Sequence, residues 1–428
     1  MSADERIGPR LSVHVPQHAT AIEVHPAQHK KSDVCFAWFC AFWLNMSVLW
    51  AYQSLVSAQN FYLARFPAAN LSFWGTVAVG SAMVIGQALS MALRMDERLG
   101  HDMRIVTAYI FFAILGAVVL AAPTPAVILV AFGCSGVLNT LSESPLYDIA
   151  ALFSEDGRLI GAVNIGNGSA GVLNISLDVC IRLFALATVS SKGGDAEAEH
   201  VAHVLFLSLL IATSLSCLPI YWQWTRRIPT FRQRLVAARA RQLQRSSPLS
   251  AGTRCAPRYA RAWRAVRGLA LAEAATFSIT LLIWPGLPCG APINGTIFED
   301  HAEWFCSPGV IGTFNFADLF GRWAGTTESV DRALGQDPAG LYAAAGARLL
   351  LIPVVTWLSR GGWSAPFLLF AALGVVGFTN GLVGTKCMLR ANRLLDAADR
   401  EHGSRIMVLS LYVGIATGSI IAAVAFGY

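Results

Sequence analysis

Long apolar runs that recur along the whole chain most constrain what it can fold into. Many of them reach the roughly 20 residues that an α-helix needs to cross the hydrocarbon core of a bilayer. Charged residues make up 14% of the 428 residues, whereas soluble domains carry about 25%. Because no backbone polar group can stay unpaired in lipid, a chain with many spans must be helical. The sequence therefore predicts an all-α, polytopic membrane protein.

Short polar segments separate the apolar runs, and this pattern predicts eleven transmembrane spans. The fourth and fifth are the least regular, because charged residues and a proline interrupt them. The predicted spans are residues 34–58, 73–93, 104–122, 126–152, 158–186, 202–224, 266–286, 307–325, 340–358, 364–388 and 404–426. The predicted domains are an N-terminal segment (1–33), a six-helix bundle (34–224), a basic loop (225–264) and a five-helix bundle (265–428).

The loop between the sixth and seventh spans determines the predicted orientation. Residues 225–264 contain eleven arginines and no acidic residue. Basic loops stay in the cytoplasm, so the N-terminus is expected there and the C-terminus outside, with the plasma membrane as the expected location. Topology explains these arginines without a nucleic-acid partner, since no aromatic stacking pattern accompanies them. Membrane lipid is the expected partner of this loop.

Two sequons and two cysteines are predicted to lie on the extracellular side. Asn70 and Asn294 are candidates for N-glycosylation, and Asn294 is the better one because short loops often escape modification. Cys289 and Cys306 flank a polar loop and are candidates for a disulfide. The other cysteines lie mostly in apolar runs, with no CxxC and no histidine at metal-binding spacing, so no metal site is predicted.

The stretch GTFNFADLFGRWAG, residues 312–325, places a carboxylate and a guanidinium inside an apolar span. An ionisable side chain at membrane depth costs roughly 2.5–3.5 kcal/mol on insertion, so it usually faces a protein interior or a water-filled path. Asp318 and Arg322 are four residues apart and share a helix face, and Asn315 lies one turn earlier. Two compatible interpretations are open: a structural ion pair, or the polar lining of a substrate path.

The fourth span carries a second polar stripe. Ser135, Asn139, Glu143 and Tyr147 recur every four residues, so they line one face of the helix. One helix rarely buries four such groups without water or a ligand. The stripe therefore favours a polar cavity over a purely structural role.

Asp178 and Arg182 form a further pair at i, i+4 spacing in the fifth span. Because they lie near its outer end, a structural or gating role is favoured over substrate binding. Trp50 in the first span offers a stacking surface for a planar ligand. A lone tryptophan in a membrane protein is more often a packing residue or an interface anchor, so both roles stay open.

Sequence motifs for catalysis do not occur in this chain. There is no P-loop, HExxH, GxSxG or histidine-rich cluster, so no catalytic residue, cofactor or ATP hydrolysis is predicted. Eleven spans do not fit a seven-span receptor but do fit a solute carrier. A membrane enzyme or lipid-handling protein is the alternative from another class, and product formation from a labelled substrate would identify it.

Four segments resemble motifs of the equilibrative nucleoside transporters and occur in the order found in that family. FNFADLFGR (314–322) is similar to the eighth-span signature, which has Asn, Asp and Arg at these relative positions. GNGSAG (166–171) resembles the fifth-span glycine motif, and FTNGLVGTKCML (378–389) resembles the tenth-span NG motif. ARLLLIP (347–353) resembles the ninth-span Arg…Pro motif, whose arginine here is Arg348.

The resemblance implies a major-facilitator-like fold in which bundles of six and five helices rock around a central site. It implies facilitated transport of nucleosides or nucleobases without ATP, with purines such as adenosine, inosine and hypoxanthine favoured. Asp318 and Arg322 would bind or gate the substrate beside Asn315. The resemblance also favours base stacking by Trp50, because VLW is similar to the first-span Trp motif. Arg348 is assigned a gating or structural role.

Two positions depart from the family pattern. Ala51 follows Trp50 where Asn is usual, and Asn139 stands where Gln is common. Asn keeps the amide donor and acceptor but is one methylene shorter. Asn139 and Glu143 are nevertheless expected to bind the substrate.

The alternative to facilitated transport is proton-coupled symport of nucleosides, nucleobases or another small polar solute. Carboxylates within membrane spans act as proton relays in many transporters. Under this alternative, Glu143, Asp148 or Asp318 accepts the proton.

Overall fold

Helices follow the apolar runs of the sequence in the computed structural model. It describes residues 31–58, 61–62, 65–66, 69, 71–153, 157–188, 194–228, 231, 233, 235–236, 256–299, 304–333, 338–361, 366–396 and 399–426. The long helices within these ranges are α1 Lys31–Ser57, α2 Leu71–Ala92, α3 Met95–Ala121, α4 Pro125–Phe153, α5 Arg158–Thr188, α6 Gly194–Arg227, α7 Ala256–Ile283, α8 Gly312–Gly325, α9 Ala339–Ser359, α10 Pro366–Leu394 and α11 Arg400–Phe426. The all-α fold class is thereby confirmed.

Shorter helical segments connect or interrupt these helices. A π-helical segment, Phe305–Ile311, leads directly into α8, and one 3₁₀ turn, Arg348–Leu350, interrupts α9. The short helices Gly286–Cys289 and Glu328–Ala333 lie in the connections before the π-helical segment and after α8.

Nine helices in the described part of the chain are long and apolar enough to cross a membrane: α1 to α4, α6, α7 and α9 to α11. The predicted fifth and eighth spans correspond to α5 and α8. Both carry polar side chains at mid-length, and α8 by itself has 14 residues. The total of eleven spans stays a prediction.

Several helices extend beyond their predicted spans. α3 begins at Met95 instead of residue 104, and α7 begins at Ala256 instead of residue 266. Hydropathy identifies only the apolar part of a helix, so a polar extension of the same helix is not included in the predicted span. The added segment of α7, APRYARAWR, is rich in alanine and arginine, which are good helix formers in water as well.

Contacts between helices divide α1 to α11 into two groups. In the N-terminal group, α1 to α6, the main pairs are α1 with α5, α2 with α4 and α3 with α6. In the C-terminal group, α7 to α11, they are α7 with α11 and α8 with α10. The two groups meet through α2 with α11, α4 with α11 and α5 with α8. Most of the predicted N-terminal segment and much of the predicted basic loop lie outside the described residues.

Glycines bring α8 and α10 into backbone contact. A Cβ on Gly321 would lie 2.0 Å from the carbonyl oxygen of Phe378, and a Cβ on Gly381 would lie 2.0 Å from that of Asp318. Residues without a side chain let two helices approach this closely. The contact sets the register of α8, and therefore of its charged residues, against α10.

One face of the molecule, the disulfide face, carries the bond between Cys289 and Cys306. This bond ties the short helix Gly286–Cys289 to the π-helical segment. Asn294 is exposed in a turn within the loop that it closes, whereas Asn70 lies outside the described residues. Glycosylation of either asparagine stays a prediction.

Replacing Gly381 by alanine is expected to destabilise the protein by about 1–3 kcal/mol, because the methyl group overpacks the contact with α8. The control is Gly346→Ala in α9, where an added Cβ meets no described atom within 4 Å. That change should be neutral or stabilising by up to about 1 kcal/mol. Thermal unfolding of the purified proteins in detergent measures both, and equal melting temperatures would contradict the close contact.

Candidate functional site

α8 carries a buried ion pair on the face that meets α5 and α10. Arg322 Nε lies 2.6 Å from Asp318 Oδ2, and the two side chains are 10% and 7% exposed. Asn380 Nδ2, on α10, donates to Asp318 Oδ1 at 2.7 Å, and Arg322 Nη1 donates to the carbonyl oxygen of Asn164 on α5 at 3.3 Å. One ion pair thus joins three helices and both helix groups.

Arg348, on α9, extends this network within the C-terminal group. It donates to the carbonyl oxygen of Val376 at 3.0 Å and to the hydroxyl groups of Thr379 and Thr280. Thr280 in turn donates to Asn380 Oδ1 at 2.8 Å. Arg348 therefore supports Asn380, the residue that donates to the carboxylate of the ion pair, and has no direct contact with the N-terminal group among the described hydrogen bonds.

Glu143, on α4, forms a second bridge between the groups. Asn167 Nδ2 on α5 donates to its Oε1 at 2.7 Å, and the Tyr412 hydroxyl on α11 donates to its Oε2 at 2.6 Å. Arg322 also acts on Glu143 electrostatically. The side chain is 4% exposed, and both carboxylate oxygens have a donor, as buried polar groups require.

Asn139 bonds to α1 and to its own helix instead of to this network. With its amide oriented to satisfy its neighbours, the nitrogen donates to the carbonyl oxygens of Val48 at 3.1 Å and Ser135 at 3.2 Å. Tyr147, the last member of the predicted stripe, donates to Asn164 Oδ1 at 3.1 Å. The stripe is therefore buried, and Asn139, Glu143 and Tyr147 bond to α1, α5 and α11. The polar cavity along it stays a prediction.

Trp50 and Asn315 each keep an unused donor inside the protein. Trp50 is 5% exposed and Asn315 6%. Trp50 Nε1 and Asn315 Nδ2 have no hydrogen-bond partner among the described residues. Buried donors are rarely left unpaired, so both could bond to a polar solute.

A small crevice lies at Asn315, between α1, α5 and the π-helical segment. Its volume is about 20 Å³, which is close to the space that one water molecule needs. The lining residues are Gln53, Val56, Ser57, Gly171, Ile175, Cys306, Ser307, Ile311 and Asn315. The crevice is too small for an organic solute in this conformation, so a solute would require the two helix groups to separate here.

A larger cavity of about 310 Å³ lies at the beginning of α3. Its lining residues are Leu99, Gly100, His101, Asp102, Met103, Val106 and Leu235. Its lining does not include Asp318, Arg322, Asn380 or Asn164. We therefore place the candidate site at the ion pair, where polar groups converge, and not at the larger cavity.

Asp178 connects the two groups near the disulfide face. Ser307 Oγ, in the π-helical segment, donates to Asp178 Oδ2 at 2.7 Å. The side chain of Arg182 lies outside the described part of the structure, so its pairing with Asp178 stays a prediction. A bond from α5 to the segment before α8 is compatible with the predicted gating role.

Sequence reasoning did not pair Asp148 with a partner and did not select Glu273. Arg405, on α11, lies with Nε 2.9 Å from Asp148 Oδ2 on α4, and the two side chains are 4% and 0% exposed. Glu273, on α7, is 1% exposed. A charged residue inside a helical apolar run was the signal available for both. No local spacing could pair Arg405 with a residue 257 positions earlier.

Outside the membrane-spanning helices, the short helix Glu328–Ala333 is tied to the end of α10. Asp331 accepts from Lys386 Nζ at 2.7 Å and from Arg393 Nη1 at 3.1 Å. Burial alone would raise the pKa of Asp331, but the hydrogen bonds and charges of Lys386 and Arg393 outweigh it. They hold that pKa below its usual value, so Asp331 is ionised at neutral pH.

No protein-family model and no curated protein sequence matches this chain. Two of the solved structures that share its fold are sugar symporters. The proton:xylose symporter XylE, bound to 6-bromo-6-deoxy-D-glucose, is 14% identical with a TM-score of 0.59, over 93% of this chain and 90% of XylE. The E. coli fucose:proton symporter FucP is 15% identical with a TM-score of 0.57, over 91% of this chain and 97% of FucP.

These likenesses show the fold and not the substrate, because the sequence identity is low. The expectation of a major-facilitator-like fold is confirmed. Together with its apolar helices, the fold identifies the chain as an integral, multi-pass membrane protein. Kinship with the nucleoside transporters stays a prediction.

Removing one partner of the Asp148–Arg405 pair is expected to cost about 3–5 kcal/mol, because the other charge stays buried and uncompensated. Asp148→Ala and Arg405→Ala should each destabilise the protein, and the double variant should lose less than the sum of the two. Unfolding of all three in mixed micelles gives the coupling energy.

The control for this cycle is Arg360→Ala, at an exposed position after α9, which should stay within about 0.5 kcal/mol of the parent. Strictly additive losses from Asp148→Ala and Arg405→Ala would show that the two side chains do not stabilise each other.

Proposed function

We propose that this protein carries nucleosides or nucleobases, preferably purines, across a membrane by alternating access of its two helix groups. The observation that carries the proposal is the buried Asp318–Arg322 ion pair. It lies where the groups meet, in a segment that resembles the eighth-span signature of nucleoside transporters. Transport as a class is supported by the two neighbours of the same fold, both described as symporters of a sugar.

The chemistry of a nucleoside suits the groups that we assign to the site. It has a flat base, on which Trp50 would stack, and sugar hydroxyls that exchange hydrogen bonds with amides and charged groups. Asn315 keeps a donor free, and Asp318 and Arg322 provide an acceptor and a donor. We also assign Asn139 and Glu143 to the site, as residues that shape its N-terminal half.

Alternating access requires bonds between the two helix groups to break in turn. Near the disulfide face the bond is Asp178 to Ser307, and on α4 and α11 it is Asp148 to Arg405. Opening at one end would admit the solute, and opening at the other would release it. We propose the plasma membrane as the location, with the N-terminus in the cytoplasm and the C-terminus outside.

The second candidate is proton-coupled symport of the same solutes or of another small polar solute. Buried carboxyl groups favour it, because Glu143 is 4% exposed and Glu273 is 1% exposed. Ionisable groups at membrane depth often form proton relays. Both structural neighbours are also described as proton symporters.

Uptake of labelled adenosine by the purified protein in liposomes tests the substrate. We expect Asp318→Asn to lower uptake at least tenfold, or about 1.4 kcal/mol, because the neutral amide can no longer hold Arg322 in place. The matched control is Glu328→Gln, the same chemical change on an exposed side chain beyond the end of α8. It should transport like the parent.

Competition by unlabelled nucleosides, nucleobases and sugars then identifies the substrate class. Inhibition by purines supports the proposal. Folded parent protein that takes up no adenosine, or uptake that only sugars inhibit, would overturn the nucleoside assignment.

A further inference from the structure

Glu273 is a buried carboxyl group, and no ion pair among the described residues compensates the negative charge that it carries when ionised. It lies on α7, is 1% exposed, and its Oε2 has no hydrogen-bond partner among the described residues. No lysine or arginine in the described part of the chain forms an ion pair with it. The Cys387 thiol on α10 lies beside it, and a thiol is a weak donor.

The guanidinium group that acts on Glu273 is already paired with another carboxylate. Arg322 acts on Glu273 electrostatically, but its Nε lies 2.6 Å from Asp318 Oδ2 and its Nη1 donates to the backbone of Asn164. A single guanidinium cannot fully compensate two carboxylates in a medium of low dielectric. Glu273 therefore lacks what an ionised carboxylate needs at this depth.

Glu143 shows the contrast within the same protein. Each of its oxygens accepts a hydrogen bond, from Asn167 and from Tyr412, and such donors stabilise an ionised carboxylate. Glu273 has the same side chain and similar burial without those donors. The difference between the two glutamates lies in their partners and not in their depth.

The other charged and titratable groups that face Glu273 come from neighbouring helices. Cys387 comes from α10, Arg322 from α8 and Tyr147 from α4. From α9, Arg348 bonds to Thr280, two turns along α7. α11 meets α7 through glycine, with Gly414 against the Ala274 backbone, and contributes no charge at that contact.

We propose that Glu273 is the proton-binding residue of a proton-coupled transport cycle. The proposal rests on the transport function in its proton-coupled form and assigns the proton to a residue that the sequence did not select. A proton from water on one side neutralises the Glu273 carboxylate, and the same proton leaves to water on the other side. One charge enters and one leaves, with no other reactant.

Arg322 provides the link between that proton and the solute. While Glu273 is protonated, Arg322 stays with Asp318, as in this structure. When Glu273 loses its proton, its negative charge competes with Asp318 for the same guanidinium. Loss of the proton thereby loosens the ion pair that we assign to the solute site, so that protonation and solute binding depend on each other.

The infrared C=O stretching band of protonated carboxylic acids tests this assignment without any solute. We expect the parent protein in lipid to show at neutral pH a component that disappears as the pH is raised. This component should be missing in Glu273→Gln, retained in Glu328→Gln, the same chemical change on an exposed side chain, and still titrate in Glu273→Asp. A parent band that lacks the component, that never titrates, or that survives in Glu273→Gln would overturn the proposal.

Transport in liposomes tests the coupling. The measured quantity is the ratio of adenosine accumulation driven by a pH gradient to adenosine exchange without a gradient. We expect this ratio to fall at least tenfold in Glu273→Gln and to be restored in part by Glu273→Asp. An unchanged ratio in Glu273→Gln, or a parent that only equilibrates adenosine, would overturn the coupling role.

The two tests separate the failure of this inference from that of the proposed substrate. If the folded parent moves no adenosine, the nucleoside assignment fails, while the infrared band still decides whether Glu273 binds a titratable proton. If adenosine moves and the band is absent, the substrate assignment stands and the proton site fails.

Discussion

A carboxylate and a guanidinium can remain in the interior of a membrane protein only when each compensates for the hydration that the other has lost. Asp318 and Arg322 meet this condition through a 2.6 Å contact, and Asn380 donates a hydrogen bond to the second carboxylate oxygen of Asp318. Arg322 Nη1 donates to the backbone of α5. The arrangement of α5, α8 and α10 around one another depends on this pair, because separating its members would leave a charge unpaired at membrane depth.

Close packing supports the electrostatics. The backbones of α8 and α10 touch at Gly321 and Gly381, where a Cβ would meet a carbonyl oxygen at 2.0 Å. On the other side of α8, Gly168 of α5 leaves room for Arg322, and an added Cβ there would lie 2.8 Å from its side chain. The glycines therefore position the ion pair between two helices by leaving space for it, and not by forming hydrogen bonds from side chains. The same small residues would allow α5 and α8 to move against each other during a transport cycle.

Buried charges are distributed unequally between the two helix groups. Glu143, in the N-terminal group, accepts a hydrogen bond from Tyr412 in the C-terminal group. Asp148 likewise pairs with Arg405 across the two groups. Glu273 stays within the C-terminal group and has no such donor for Oε2. Bonds that cross between groups must be exchanged when the groups move, whereas a carboxyl group inside one group can change its charge in place. This difference separates the proposed gate residues from the proposed proton site.

The sequence by itself determined the class of fold, the helices and the polar faces. Apolar runs of membrane length allow little besides helices, and the four-residue spacing from Asp318 to Arg322 places both on one face whatever surrounds them. Only the tertiary structure decided the partners. Asn380 beside Asp318, Tyr412 beside Glu143 and Arg405 beside Asp148 come from helices 62 to 269 residues away, beyond the reach of any local periodicity. The absence of a donor for Glu273 Oε2 among the described residues was likewise invisible in the sequence, because whether a buried group is satisfied depends on every helix packed around it.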